Sequence, residues 1–148
     1  MYRKILVTLE NGPADAKLVP HVCAFARHCG AELLLLHVAD GWAARNFEQL
    51  SLAESDEMKQ DTAYLKSRAD ALRAEGLTVE TLLALGNPPN EIVKIAANSG
   101  CDLIALASHG HKLIGDIIHG STIDRVRHNT ALPLLVVSYK PGGTRSPF

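Results

Sequence analysis

Short apolar segments alternate with longer amphipathic segments along the chain, and this alternation constrains the fold more than any other feature of the sequence. The apolar segments predict five strands, at Lys4 to Leu9, Glu32 to Ala39, Thr78 to Leu85, Leu103 to Ala107 and Leu134 to Val137. The segments between them predict four helices, at Ala14 to His28, Glu54 to Glu75, Asn87 to Ser99, and a last one that opens at Ser121. Such alternation is typical of a three-layer, doubly wound α/β fold with a parallel sheet covered by helices on both faces.

The helical segments carry apolar residues at spacings that place them on one face. The residues predicted to face the sheet are Leu18, Val22, Phe25 and Cys29 in the first helix, Met58, Leu65, Ala69 and Leu72 in the second, and Ile92, Ile95 and Ala96 in the third. We expect the charged residues of the second helix, Asp61 among them, to lie off that stripe. Asn87 is the candidate N-cap of the third helix.

In two stretches the apolar residues show no regular spacing. Residues 40 to 55 contain an isolated Trp42 and Phe47 and predict a loop or a short irregular helix. Residues 140 to 148 contain two prolines and two glycines and predict a mobile tail. We therefore expect one domain, residues 1–139, followed by this tail.

Composition and charge exclude several classes of function. With 148 residues, 47% hydrophobic and 21% charged, the chain can bury a core of its own. A formal net charge of -1 gives no reason to expect a nucleic acid or a membrane surface as partner. The N-terminus lacks the apolar core of a secretory signal, so we expect a cytoplasmic protein. The three cysteines, Cys23, Cys29 and Cys101, form no CxxC pair and are expected to be reduced and mostly buried.

A glycine-containing stretch follows the fourth predicted strand. Gly110, Gly115 and Gly120 precede the predicted helix at Ser121, and a strand, a flexible loop and a helix N-terminus together build an anion site. The alternative is that these glycines only reverse the chain. The stretch is not a Walker A loop, because Gly120 stands where that motif requires lysine.

These residues give the chain a resemblance to the universal stress protein family. Its nucleotide-binding members carry Gly-x-x-Gly-x(9)-Gly-Ser/Thr, and Gly110, the nine residues after it, Gly120 and Ser121 match in register, whereas Ala107 replaces the first glycine. The segments KILVTLE, AELLLLHVAD, GNPPNEIVKIA and PLLVV extend the resemblance over nearly the whole chain. It implies the strand order 3-2-1-4-5 and a crevice at the carboxyl ends of the strands, where such sheets bind ligands.

The resemblance also implies which residues contact a nucleotide. They are Thr8, Leu9, Glu10, Val38, Ala107, Gly110, His111, Gly120, Ser121 and Thr122. Without it, Glu10 is equally well interpreted as a helix-entry carboxylate that satisfies nearby N–H groups. His37 is interpreted as a hydrogen-bonded core histidine rather than a ligand.

Metal binding and catalysis have less support. His109, His111 and His119 fall in one predicted loop region, which raises the possibility of zinc, but their spacing is not that of a known zinc site, and we expect no metal. Lys112 and these histidines are better suited to phosphate. No motif of a dedicated enzyme is present and Ser121 has no identified general base, so we expect no catalytic residues and at most a slow ATPase or self-phosphorylation.

The sequence therefore predicts a stress-response protein that binds ATP or a related adenine nucleotide (ADP or AMP) and uses occupancy as a regulatory state. The alternative is a member that binds no nucleotide and acts through protein–protein interaction. We further expect a homodimer through the last strand, an apolar edge strand formed by Leu134, Leu135, Val136 and Val137.

Overall fold

The computed structural model describes residues 1–39, 51–109 and 116–140, without the side chains of residues 51–55 and 116–121. Within this part of the chain, nine elements alternate. They are β1 (Lys4–Thr8), α1 (Asp15–Cys29), β2 (Glu32–Ala39), α2 (Ser51–Ala74), β3 (Val79–Leu85), α3 (Pro88–Asn98), β4 (Leu103–His109), α4 (Asp116–Asn129) and β5 (Leu134–Tyr139).

The strands form one parallel sheet in the order β3-β2-β1-β4-β5, which confirms the predicted fold class and strand order. β1 lies in the centre, and its residues Ile5, Leu6 and Val7 are at most 1% exposed. A strand buried on both faces explains why this stretch is continuously apolar and does not alternate.

Two clusters of buried residues fill the space on either side of the sheet. α1 and α2 cover one face with residues such as Leu18, Val22, Leu65 and Ala69. α3 and α4 cover the other face with Ile92, Ile95, Ala96 and Val126. The predicted inward-facing residues of α1 and α3 are confirmed, as are Leu65, Ala69 and Leu72 of α2, whereas Met58 is only half-buried. Helices on both faces complete the three layers.

The cap of α3 and the state of the cysteines also follow the predictions. The side chain of Asn87 accepts a hydrogen bond from the N–H of Asn90 at 3.4 Å. Cys23 and Cys101 are buried, Cys29 is half-buried, and all three are free. Burial raises the pKa of the Cys101 thiol to about 11 and also raises the pKa of Cys23.

The helix predicted to open at Ser121 begins at Asp116 instead. The prediction treated Gly120 as a break, but a glycine inside a helix costs only about 1 kcal/mol and does not by itself end it. Gly120 and Ser121 therefore lie within α4, and the unpaired N–H groups of its first turn belong to residues before Gly120.

Three other boundaries differ from the predictions by two residues or more. α2 already begins at Ser51, although residues 51–54 lack an apolar period. β4 and β5 each continue two residues further, because Ser108 pairs with Ser138 and His109 with Tyr139 in the ladder. His109 is therefore a strand residue, and His119 lies within α4. Trp42 and Phe47, and the predicted tail beyond Lys140, lie outside the described residues.

None of the helices in the described part of the chain combines the length and apolar character needed to cross a bilayer.

Candidate functional site

The carboxyl ends of β1, β2 and β4 meet at one edge of the sheet. The N–H of Leu9 donates to the carbonyl of Leu36 at 2.7 Å, and the Nδ1 of His37 lies 2.8 Å from the carbonyl of Leu9. From β1 the chain proceeds to β2 and β3 on one side, and β4 and β5 lie on the other. The strand order thus reverses between β1 and β4, which is where open α/β sheets bind ligands.

Glu10 and His109 face each other across this reversal point. Both carboxylate oxygens of Glu10 lie within hydrogen-bond distance of the Nε2 of His109, at 2.7 and 2.9 Å. An Nε2–H that donates to the carboxylate satisfies this geometry. The His109 side chain is 13% exposed and that of Glu10 is 30% exposed. The ring of Tyr139 lies against His109 edge to face, with centroids 5.8 Å apart. The pair therefore holds a half-exposed carboxylate at the mouth of the crevice.

Asp15 fixes the turn that carries Glu10. Its carboxylate is fully buried and accepts the N–H of Glu10 at 3.0 Å and the N–H of Asn11 at 2.9 Å. Asn11 has a φ of 58°, a left-handed conformation that asparagine tolerates. The role of helix-entry carboxylate, which the sequence left open for Glu10, thus belongs to Asp15.

Two residues of α2 complete the network. The hydroxyl of Tyr64 donates to Asp15 at 2.5 Å. The pKa of Tyr64 is raised, mainly by burial and to a smaller extent by this hydrogen bond. Asp61 accepts a hydrogen bond from the Asn11 side chain at 3.1 Å and lies 3.5 Å from the Nε2 of His37. Asp61 is only 8% exposed, so the prediction that it lies off the buried stripe was wrong.

The prediction that His37 is hydrogen-bonded is confirmed, and the residue is half-buried at the edge of the core. Its side chain is 13% exposed, and its two ring nitrogens face the carbonyl of Leu9 and the carboxylate of Asp61. His37 therefore links the ends of β1 and β2 to α2.

Sequence analysis missed Asp15, Asp61 and Tyr64 as parts of this site. A carboxylate in the first turn of a helix was a visible signal for Asp15. Asp61 lies four residues before Leu65 and three after Met58, so a polar residue on an apolar stripe was the signal there.

The predicted nucleotide-contacting residues whose side chains are described differ in their burial. Thr8 is 9% exposed, and its hydroxyl donates to the carbonyl of Ala105 at 3.3 Å. Leu9 is 3% exposed, while Val38 and Thr122 are half-buried. Any contact from Leu9 to a ligand would therefore involve its main chain.

Ala107 is accommodated without strain. It pairs with Val137 inside the sheet, is 9% exposed and belongs to the core cluster beneath α1 and α2. It is not among the described residues with positive φ. The backbone at this position therefore does not require glycine.

The remaining predicted residues fall outside the described part of the chain, in whole or in their side chains. Gly110 and His111 are not described, and for Gly120 and Ser121 only the helical backbone is. Within the described residues, no group of three or more His, Cys, Asp or Glu side chains is arranged to hold a metal ion. Of the three histidines considered for zinc, His109 contacts Glu10, whereas His111 and the side chain of His119 are not described.

Comparison with known proteins gives a consistent result over nearly the whole chain. The model of the universal stress protein family matches residues 1–138. Universal stress protein MJ0577 of Methanocaldococcus jannaschii is 29% identical over 157 residues, which cover 95% of this chain and 97% of the relative. A solved structure of MJ0577 superposes with a TM-score of 0.83 at 30% identity, over 96% of this chain and 99% of that one.

Two further solved structures contain an adenine nucleotide. One is a universal stress protein in complex with cAMP, with a TM-score of 0.67 and 19% identity over 92% of this chain and 96% of that one. The other, from Archaeoglobus fulgidus, is in complex with dAMP, with a TM-score of 0.67 and 19% identity over 92% and 98%. At this identity the two structures show the shared fold.

Proposed function

The chain belongs to the universal stress protein family, and from this premise we propose that it binds ATP or a related adenine nucleotide between the ends of β1 and β4 and that occupancy is its regulatory signal. The observation that carries the proposal is the Glu10–His109 pair, which holds a carboxylate at the point where the strand order reverses. Nucleotide complexes of two structural neighbours support the choice of adenine. Family membership supports the proposed stress-response role, and we propose a cytoplasmic location.

The chemistry of Glu10 suits the ribose. A carboxylate accepts hydrogen bonds from hydroxyl groups, and an acidic residue at this edge of a nucleotide-binding sheet contacts the ribose hydroxyls in other α/β folds. Because His109 donates to both oxygens, it fixes the orientation of the carboxylate before a ligand arrives. The main chain at Val38, at the end of β2, is the proposed contact for adenine.

The phosphates are proposed to lie toward Gly110, His111, Gly120, Ser121 and Thr122. Since Gly120 lies inside α4, its proposed contribution is the absence of a side chain, which allows phosphate to approach the helix closely. Ala107 is compatible with the proposal, because its methyl group packs in the core cluster.

A thermal shift titration tests the proposal. Nucleotide at 100 times its Kd should stabilise the fold by about 2.7 kcal/mol, which corresponds to a rise in Tm of about 5–10 °C for a domain of this size. Gly120→Val should remove the shift, because it adds bulk where phosphate is proposed to approach.

The matched control is Asp124→Val, which makes a β-branched substitution at an exposed position of the same helix. This variant should keep the shift. A folded Gly120→Val variant that binds nucleotide as tightly as the wild type would remove this region from the site.

A second candidate function is that of an interaction module without nucleotide. It is favoured by the edge strand β5, where Val136 is 42% exposed. The N–H of Ile104 donates to the carbonyl of Pro133, so in the parallel register the N–H and carbonyl groups of Val136 point away from β4. No shift with ATP, ADP or AMP at millimolar concentration would favour this candidate.

The same edge supports a proposed homodimer. In the described part of the chain, Leu134 and Val136 direct their backbone N–H and carbonyl groups away from β4, and Val136 exposes an apolar side chain, so pairing with a second copy would satisfy both.

A further inference from the structure

Helix α2 contacts the turn after β1 through polar side chains. The hydroxyl of Tyr64 donates to the carboxylate of Asp15, which in turn accepts the N–H groups of Glu10 and Asn11. Asp61 accepts from the side-chain amide of Asn11 at 3.1 Å. One helix thus holds this turn in two ways, at the backbone of Glu10 and Asn11 through Asp15 and at the side chain of Asn11 directly.

Asp61 also reaches the turn from a second direction. Its other carboxylate oxygen lies 3.5 Å from the Nε2 of His37, whose Nδ1 lies 2.8 Å from the carbonyl of Leu9. Leu9 immediately precedes Glu10, so α2 constrains the chain on both sides of that residue.

These contacts are not needed to attach α2 to the sheet. Leu65, Ala69 and Leu72 are buried in the core cluster and already provide that attachment. Buried polar groups stabilise a fold only when they are paired, and an apolar residue at the position of Asp61 would cost less to bury. Asp61 and Tyr64 therefore stabilise the conformation of the turn more than they attach α2 to the sheet.

We infer that Asp61 and Tyr64 are positioning residues of the crevice. They set the backbone at Glu10 and Asn11, and so direct the carboxylate of Glu10 toward His109 and the ligand. This inference rests on the proposed nucleotide site. It extends that site to a helix whose sequence carries no part of the glycine motif.

Two disruptive variants, with a conservative third as their control, separate positioning from stability. Asp61→Leu removes the acceptor of the Asn11 side-chain amide and should lower the Tm, but the buried contacts of Leu65, Ala69 and Leu72 should keep the variant folded at about 25 °C. It should nevertheless weaken AMP binding about 10-fold, as expected when a hydrogen bond to a charged group is lost. Tyr64→Phe removes only a hydroxyl and should also weaken AMP binding about 10-fold. Asp61→Asn keeps an oxygen that can accept from Asn11, so it should retain most of the affinity.

Amide hydrogen exchange tests the same inference without nucleotide. The amides of Glu10 and Asn11 should exchange about 10-fold faster in Asp61→Leu and Tyr64→Phe than in the wild type. The amide of Ile104, which is bonded to Pro133 on the other side of the sheet centre, should not change. Asp70→Leu makes the matched substitution at an exposed position of α2 and should alter neither exchange nor affinity.

The outcomes distinguish this inference from the proposed function. If the wild type binds AMP and the two variants bind it equally well, or exchange at the wild-type rate, the positioning role is overturned. If the wild type binds neither AMP nor ATP, the proposed function fails. The exchange rates then decide by themselves whether α2 fixes the turn.

Discussion

Replacement of Asp15 by asparagine tests the structural basis of the crevice. Asp15 is 0% exposed, and its two oxygens accept three hydrogen bonds, from the N–H groups of Glu10 and Asn11 and from the hydroxyl of Tyr64. Asn has one acceptor oxygen in the side chain, so at least one backbone N–H would face an NH₂ group, donor against donor. The other bonds would lose the charge that strengthens them.

The magnitude follows from these bonds. One lost hydrogen bond to a charged group is worth about 1.5–3 kcal/mol, and weakening of the others brings the expected loss of unfolding free energy to about 2–4 kcal/mol. With a urea m-value of about 2 kcal/mol/M, the midpoint of unfolding should fall by about 1–2 M at pH 7.

The control is Asp124→Asn, because the side chain of Asp124 is 64% exposed and pairs with Arg127 at the surface. That variant should change the unfolding free energy by less than about 0.5 kcal/mol. A fall of less than about 0.5 M in the urea midpoint of Asp15→Asn would refute the reasoning. It would mean that the cost of burying the carboxylate cancels the contribution of its hydrogen bonds.

Two further predictions concern the edge strand and a buried thiol. Val136→Pro removes an N–H that points away from β4, so it should leave the sheet intact but convert the proposed dimer to a monomer in light scattering. Val136→Thr, the control, should remain dimeric. A wild type that is monomeric at tens of micromolar contradicts the dimer. Burial raises the pKa of Cys101 in the folded state from 9.0 to about 11. The protonated thiol therefore contributes fully to the stability of the fold below pH 9, and this contribution should be lost as the pH rises to 11. The contribution is at most about 3 kcal/mol. The unfolding free energy of the wild type should therefore fall relative to that of Cys101→Ala over this range, and parallel curves would contradict the assignment.

The fold was predictable because its determinants are local. Strands buried on both faces must be apolar throughout, and KILVT in the central strand shows this directly. Helix faces were predictable for the same reason, since a period of 3.6 residues is visible in a single segment. The strand order came from the family resemblance and not from any of these periods.

The site was less predictable because its contacts join distant parts of the chain. His109 meets Glu10 across 99 positions, and Tyr64 meets Asp15 across 49. A single sequence shows the residue types but not these pairings. The start of α4 at Asp116 was missed for another reason, because the helix tolerates a glycine that the sequence pattern presents as a break.

Calorimetric titration with ATP of the wild type and of Glu10→Ala tests the central claim most directly. The account predicts saturable binding to the wild type and binding about 10–100-fold weaker in Glu10→Ala, because a hydrogen bond to a charged group contributes about 1.5–3 kcal/mol. Glu75→Ala, at an exposed position after α2, should bind as the wild type does. Equal affinities in the wild type and Glu10→Ala, or no saturable binding at millimolar ATP, would contradict the account.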